Sequence, residues 1–447
     1  MAAGDVLRIA CIGGGSTFIV TLIHGLVSRA SRLMELGRPI ELCLYDLDGG
    51  RMQLNADYAE IAARQTGLPL RARCFDDRHT AIRGANLVLF CPRLQEPARA
   101  VRELIETESL RMMPEHSVNV AVTSAAIWPY LRGLGLQMRQ VAPDALFASL
   151  VNPADVLAGA FEKAFGIRSV GLCVEVRGLC AWLSYYLRVP EEAITLEYAG
   201  ANHFGWVSRW SVRGFDDAAA LFWRTVPPRM SEPDWLPHAT WFVRLYRLCG
   251  YLRASPYHNW PVRRGWDEAD HRQNQRWEAT CLGGVNKREH RARAFQQALS
   301  RGRLIEETDP PAIHPEATSY WYPSSRHTIG DLVVGLAGGR AGPTPLQSRN
   351  GQTNPTLPSE GWVEVPTIID AGQLQPQSVR LPPEWLFGQV RSVILQRAHL
   401  SDWLAGRDES GLAAALLAMP EDASLAELER LVGQLAEVRD APGHDGA

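Results

Sequence analysis

No stretch of about 18 apolar residues interrupts this 447-residue chain, so nothing in it reads as a membrane-spanning helix. No charge of one sign dominates either. Forty-six Lys and Arg stand against 49 Asp and Glu, a net charge of -3 with the signs interspersed. Nucleic-acid backbones and anionic bilayers recruit a basic excess, so both are set aside as partners. The eight cysteines (Cys11, Cys43, Cys74, Cys91, Cys173, Cys180, Cys249, Cys281) contain no CxxC pair. They fit no paired metal module or disulfide framework and read as reduced thiols, mostly small buried hydrophobes. The opening MAAGDVLRIACIGGG lacks a signal-peptide shape, because its apolar run leads straight into glycines. A cytoplasmic protein is expected. No internal repeat is visible.

What the chain does have is apolar mass. Apolar residues make up 46 % of it, and its length exceeds the roughly 250–300 residues at which one core stops growing. Two domains are expected. Short apolar runs (VLRIACI, IELCLYDLD, ANLVLFCPR, ALFASLVNPADVL, RSVGLCVEV) alternate with helical stretches such as RAVRELIETESL through about residue 180. That alternation predicts a Rossmann-like, doubly wound parallel sheet over 1–195. From about 195 the texture changes: Trp, His and Pro become frequent, long loops are expected, including the polar segment 340–360, and LAELERLVGQLAEV reads as an amphipathic helix. Residues 196–447 are read as an α+β substrate and catalytic domain.

The first candidate site is a glycine loop. Gly13, Gly14 and Gly15 follow a strand and open a helix, where glycine permits positive φ and lets the backbone approach a phosphate. Ser16 and Thr17 add hydroxyls, while Phe18 stands where the third glycine of GxGxxG would be. Asp46, ending the second apolar run, lies 31 residues beyond Gly15 rather than the usual ~20, so the first helix or its loop is expected to be extended. A carboxylate there binds a ribose 2′-hydroxyl and repels a 2′-phosphate, which favours NAD over NADP. The plainer alternative is a glycine turn in an ordinary α/β sheet, with Asp46 as a helix cap.

The second candidate is a pair. Cys173 ends the apolar run of VGLCVEVRG, and 30 residues later His203 follows Asn202 in YAGANHFGW. A thiolate and an imidazole can share one divalent metal and leave positions open for substrate oxygens. Taken singly, Cys173 reads as a core cysteine and His203 is undecided. Placement favours function, since open α/β sheets bind ligands beyond the carboxyl ends of their strands.

The ordered set IACIGGGST, LCLYDLDGGRM, ANLVLFCPR, LFASLVNPADV, VGLCVEVRG, YAGANHFGW, GYLRASPYHNW, GWVEVPTIIDAGQLQP and AGRDESGLAAALLAMP resembles glycoside hydrolase family 4, the NAD-dependent glycosidases. The resemblance implies Mn²⁺ or a similar divalent cation on Cys173 and His203, and Asn152 of NPAD as a sugar-hydroxyl contact. Three departures stand out. Val174 replaces the polar residue that usually follows the metal cysteine, which leaves Glu175 as the substitute acid. The family's glycine-rich loop after the third strand is replaced by RLQEPARAVRELIE. The tyrosine-rich stretch of 6-phospho-glucosidases has no clear counterpart. CVEVRG lies loosely nearer the α-galactosidase and α-glucuronidase branch.

The reaction that the resemblance implies is hydrolysis by redox: oxidation at C3 of the sugar, loss of the C2 proton, elimination at C1, addition of water, and return of the hydride. A tyrosine serves as base if its pKa is lowered near a metal. Tyr257 is the candidate, with His258 and Tyr251 as rivals. Arg93, Arg177, Arg263 and Arg264 can present a fork to an anionic group on the sugar, and Asn202 joins Asn152 and Arg93 as a substrate contact. Trp206, Trp210, Trp260 and Trp266 are either sugar platforms or core. The rivals are an NAD-dependent sugar or 2-hydroxy-acid dehydrogenase of the lactate/malate type, which has no need of the Cys173–His203 pair, and a non-catalytic NAD-binding regulator. The resemblance also favours a homodimer or homotetramer.

Overall fold

The computed structural model describes residues 6–94, 118–173, 175–232, 235, 239–254, 287–305, 323–418 and 425–442. The helical reading of RAVRELIETESL, Val174, the loop candidates Tyr257, His258, Trp260, Arg263, Arg264 and Trp266, and the last five residues lie outside them.

The first half alternates strand and helix as expected. β1 (Leu7–Ile12), β2 (Ile40–Tyr45), β3 (Leu70–Phe75), β4 (Leu87–Phe90), β5 (Leu146–Ser149) and β6 (Ser169–Gly171) pair in parallel in the order β3-β2-β1-β4-β5-β6. This is the doubly wound nucleotide-binding arrangement. The period-2 alternation of β1 explains why its run is apolar apart from Arg8. Leu7, Ile9 and Cys11 enter one core layer while Ala10 and Ile12 enter the other, so both faces are covered. Between β1 and β2 the chain makes two helices, α1 (Phe18–Ser28) and α2 (Ala30–Leu36), which accounts for the long spacing from Gly15 to Asp46. α3 (Gly49–Thr66), α4 (Arg78–Ile82), α5 (Val118–Val141), α6 (Ala154–Phe165) and α7 (Glu175–Leu187) follow in turn.

β7 (Ile194–Ala201) and β8 (Phe204–Val212) form an antiparallel hairpin, followed by α8 (Ala218–Thr225), α9 (Ala239–Cys249), β9 (Leu252–Arg253), α10 (Lys287–Arg301) and α11 (Pro323–Leu336). The polar segment 340–360, read as loop, is corrected in part. Arg340–Arg349 is a strand, β10, inserted antiparallel between β6 and β11 (Trp362–Asp370). Polarity concealed it because its inner half buries the polar side chains of Thr344, Gln347 and Ser348 alongside Leu346. Residues 350–361 do form a loop, tied by Asn350 Nδ2 donating to the carbonyls of Asn354 and Leu357 at 3.1 Å each. β12 (Gln373–Pro376), α12 (Glu384–Leu404), α13 (Gly411–Leu417) and α14 (Leu425–Asp440) complete the described chain, the last being the amphipathic tail helix.

The result is one 12-stranded sheet that passes through residue 195 without a break, β10 carrying it from β6 into β11, β7, β8 and β9. The halves also share a core. Ile329, Leu332 and Val333 of α11 pack in the layer that contains Ile19, Leu22 and Ile23 of α1. The two helices cross so closely that a Cβ at Gly330 would stand 2.6 Å from the Gly25 carbonyl oxygen. Each fully buried aliphatic side chain in such a layer contributes roughly 1.5–3 kcal/mol.

Candidate active site

At the carboxyl end of β1 the loop closes back on the sheet. The amides of Gly13 and Gly14 both donate to the Tyr45 carbonyl, at 3.0 and 2.8 Å. Gly13 has φ +96°, and a Cβ on it would lie 2.5 Å from the Pro92 nitrogen just beyond β4. Glycine is required there by the protein's own backbone. Asn55 of α3 secures the loop from behind, its Nδ2 donating to the carbonyls of Gly14 (2.8 Å) and Ser16 (3.2 Å). Sequence reasoning missed Asn55, because an asparagine inside a helix carries no signal of what it faces.

Asp46 is not a helix cap. Asp48 caps α3, accepting from the Arg51 amide, whereas Asp46 Oδ2 accepts from the Gly15 amide at 2.9 Å and Oδ1 from the Asp48 amide at 3.1 Å. Each carboxylate oxygen has a second lone pair, so the group retains capacity for a hydroxyl donor. Thr17 begins α1 without a side-chain cap bond, and the first turn carries no acid. The first turn of this helix thus leaves amides uncapped by its own side chains, which suits a phosphate. Arg93 is exposed just past β4, beside this loop.

The second half of the site forms where β6 and β7 end. Four residues make a row across the sheet. Gly171 on β6 pairs with Gln347 on β10, Gln347 with Glu364 on β11, and Glu364 with Gly200 on β7. Cys173 follows Gly171 by two positions at one end, and His203 follows Gly200 by three at the other. The row is narrow where side chains are missing. A Cβ at Gly171 would meet the Gln347 Oε1 at 2.3 Å, and one at Gly200 would meet the Gly205 Cα at 2.3 Å.

Cys173 is buried immediately before α7, and its Sγ accepts from the Glu175 amide at 3.4 Å. A helix N-terminus and an amide donor are a setting that suits an anionic sulfur. His203 is the second residue of the two-residue β7–β8 turn and has φ 58°. Left-handed backbone at a histidine costs on the order of 1–3 kcal/mol and is retained where surroundings enforce it. His203 and Glu175 line one small pocket together with Tyr198 and Glu364. Burial pushes the Glu364 carboxyl up to about 8; Gln347 opposes the rise by donating to it, and nearby Glu175 and Asp155 reinforce it. Burial likewise pushes the Tyr198 hydroxyl well above its ordinary value. Arg253, almost fully buried on β9, donates to the His203 carbonyl at 3.3 Å and lies over the Phe204 and Trp206 rings. Desolvation lowers its pKa to about 10, with Glu175 opposing.

Asn202 is buried, and its Nδ2 donates to Asn152 Oδ1 at 3.0 Å, which joins two of the sequence-predicted substrate contacts. Other candidates are placed elsewhere. Arg177 faces Asp331 at 3.7 Å; Trp206 belongs to the core and Trp210 packs edge-on against Phe222. Tyr251 is half-buried just before β9. Glu364, Gln347, Tyr198 and Arg253 were not singled out from sequence, although Glu364 sits inside the quoted run GWVEVPTIID. Among the described residues no group of three or more His, Cys, Asp or Glu is arranged to hold a metal. A site built on Cys173 and His203 thus has two protein donors and open positions, which fits a cation that also takes substrate oxygens.

Strand order, glycine loop and strand-terminal carboxylate define an α/β protein of the doubly wound, dinucleotide-binding arrangement. The chain belongs to family 4 of the glycosyl hydrolases: the pattern described as Family 4 glycosyl hydrolase matches residues 8–189, and that of the Family 4 glycosyl hydrolase C-terminal domain matches residues 198–418. It is 26 % identical over 214 residues to an alpha-galactosidase of Bacillus subtilis, 47 % of this chain and 49 % of that one. The chain thus spans about half the length of this curated relative. It is 21 % identical over 445 residues to a 6-phospho-beta-glucosidase of Thermotoga maritima, 96 % of this chain and 98 % of that one. Its fold is shared with a 6-phospho-alpha-glucosidase from gut microorganisms, solved in complex with NAD and glucose-6-phosphate (TM-score 0.73, 16 % identity, 98 % and 99 % covered). It is also shared with the Thermotoga maritima 6-phospho-beta glucosidase solved with manganese, NAD⁺ and glucose-6-phosphate (TM-score 0.69, 17 % identity, 96 % and 98 % covered).

Proposed function

We propose that this chain is an NAD- and divalent-metal-dependent glycoside hydrolase that cleaves a glycosidic bond by the redox-elimination route. The observation that carries the reading is the cross-sheet row Gly171–Gln347–Glu364–Gly200, from which Cys173 and His203 follow by two and three positions, together with the Asn202–Asn152 bond that ties the histidine turn to the loop after β5. Family membership and the solved Thermotoga maritima relative with its manganese and NAD⁺ support it. When bound, NAD⁺ supplies a reversible hydride acceptor and the divalent cation, Mn²⁺ by preference, polarises sugar oxygens.

The chain's own residues do the rest. Gly13, Gly15, Ser16 and Thr17 receive the dinucleotide at the head of α1, and Asp46 accepts the adenosine ribose hydroxyl. Cys173 and His203 hold the cation. Asn152, Asn202 and Arg93 contact the sugar, and Glu175, buried in the first turn of α7, holds and moves a proton in the pocket it shares with His203. Tyr257 and His258 are the candidates for the C2 base, on a segment outside the described residues. We read the protein as a cytoplasmic homodimer or homotetramer. The seven free cysteines of the described chain support a reducing compartment. A division at residue 195 into dinucleotide and substrate domains is supported by the two family patterns meeting between 189 and 198.

Stoichiometry tests the reading. With Mn²⁺ and a panel of aryl glycosides, catalytic NAD⁺ is expected to sustain many turnovers, and deuterium from solvent to appear at C2 of the released sugar. Consumption of NAD⁺ one for one, or product without deuterium, overturns it.

A further inference from the structure

A buried ion pair reaches the histidine turn from behind. Asp155, in the first turn of α6, is 1 % exposed, and Arg397 on α12 is 4 % exposed; Nη1 and Oδ2 are 2.5 Å apart. Two charges taken out of water lose more solvation than their attraction returns unless the remaining polar atoms are also engaged. Asp155 is fully engaged: Oδ1 accepts the Val156 amide at 2.9 Å, and Oδ2 also accepts the amide of Asn202 at 3.1 Å. The Asn202 side chain is held at both ends, donating to Asn152 at 3.0 Å and accepting from Gln347 Nε2 at 2.7 Å. The residue before His203 is thus fixed through backbone and side chain by three residues from two separate segments.

That fixation bears on metal binding. In a two-residue turn, the peptide joining Ala201 to Asn202, held through the Asn202 amide, and the anchored Asn202 side chain together set where the following imidazole is carried. A neutral or apolar pair would join α6 to α12 equally well. What it would not provide is a carboxylate, already compensated by a cation, that grips the Asn202 amide in a charge-assisted bond. We propose that Asp155 and Arg397 are positioning residues for the metal centre, locking the Asn202–His203 turn so that imidazole and Cys173 thiolate bind one divalent cation together. This rests on the metal reading of Cys173 and His203.

The test replaces the pair as a pair. Asp155→Leu with Arg397→Met replaces both charges by apolar groups and so removes the buried ion pair as a unit. Expected by titration calorimetry is a 10–100-fold rise in the Mn²⁺ dissociation constant, the range found when outer partners of metal ligands are removed. NAD⁺ affinity should stay within about twofold, since the glycine loop is untouched. With Co²⁺ as probe, the sulfur-to-metal charge-transfer band should persist while the d–d bands shift, because the imidazole is displaced and the thiolate is not. Arg397→Lys, which keeps the charge, should bind Mn²⁺ more tightly than the double variant. A folded double variant with Mn²⁺ affinity within threefold of the parent overturns the proposal. One measurement needs no variant: in the parent protein, Mn²⁺ should slow hydrogen exchange at the Asn202 amide while leaving β2 and β3 unchanged. Unchanged exchange at Asn202 overturns it as well. If instead Cys173→Ala and His203→Ala bind Mn²⁺ as the parent does, the metal reading itself has failed.

Discussion

The two ends of the site are built in different ways. The nucleotide end is a backbone device: three consecutive glycines, a strand carbonyl at Tyr45, and a carboxylate at Asp46 gather within the first 55 residues. The end for which we propose sugar and metal binding is a side-chain device. Its groups come from residues 152–155, 173–175, 198–203, 347, 364 and 397, and its hydrogen bonds connect positions as much as 242 residues apart. A backbone device tolerates little variation, because no other residue fits at Gly13. A side-chain device depends on each group being engaged by a distant partner, so its weak points are buried charges rather than clashes.

That difference predicts where each end breaks. The largest loss is expected at the side-chain end. Asp155→Ala removes the carboxylate that faces Arg397, where the cation is 4 % exposed, and takes the acceptor from the Asn202 amide. Removing one partner of a buried pair costs about 3–5 kcal/mol. Urea denaturation should show that loss; a change below about 1 kcal/mol would mean that the pair is not stabilising the hairpin. At the backbone end, Gly13→Ala forces a Cβ to within 2.5 Å of Pro92 at φ +96°. About 2–4 kcal/mol of stability should go with it, together with NAD⁺ binding. Unaltered NAD⁺ affinity would show that the loop is an ordinary turn.

The same contrast explains what could be read from the chain beforehand. Glycine triplets, strand-terminal acids and apolar runs are local, so the sheet, the loop, Asp46 and the extra helix before it were all legible. Cys173 and His203 were legible only as a pair carried by ordered motifs. Glu364, Gln347, Asp155 and Arg397 were not, since the register that aligns Gly171, Gln347, Glu364 and Gly200 is set by strands far apart in sequence. β10 escaped for a related reason. Its buried face is polar, and polar residues signal a strand only when their partners are known.

The Glu364 carboxyl sharpens the comparison through pH. Its pKa rises from 4.5 to about 8 on folding, mainly through burial. Between those values the folded chain holds a proton that the unfolded chain has released. Stability therefore falls as pH rises from about 4.5 to about 8, by at most about 1.4 kcal/mol per pH unit, and levels off above. Glu364→Gln keeps the hydrogen-bonding shape and removes the titration. In metal-free protein it should leave stability near pH 4.5 little changed and raise it near pH 8. A parent and variant with parallel pH profiles would show that Glu364 is ionised in the fold.

The smallest expected effect is the one whose sign matters most. His203 occupies a left-handed position, φ 58°, that glycine adopts without strain. If the turn is held for metal binding, the folded chain carries a backbone cost that serves no purpose without the cation. His203→Gly then relieves on the order of 1 kcal/mol of strain. Against that stand the greater freedom of glycine in the unfolded chain and the contacts of a ring only 6 % exposed, so the net gain without metal should be well under 1 kcal/mol. In the presence of Mn²⁺ the order reverses, because only the parent gains binding free energy in the folded state. Thermal denaturation of both proteins with and without Mn²⁺ reads this crossing directly. A variant less stable than the parent by the same amount in both conditions would show that His203 holds the β7–β8 hairpin together through packing, and the side-chain end would then have lost its metal ligand.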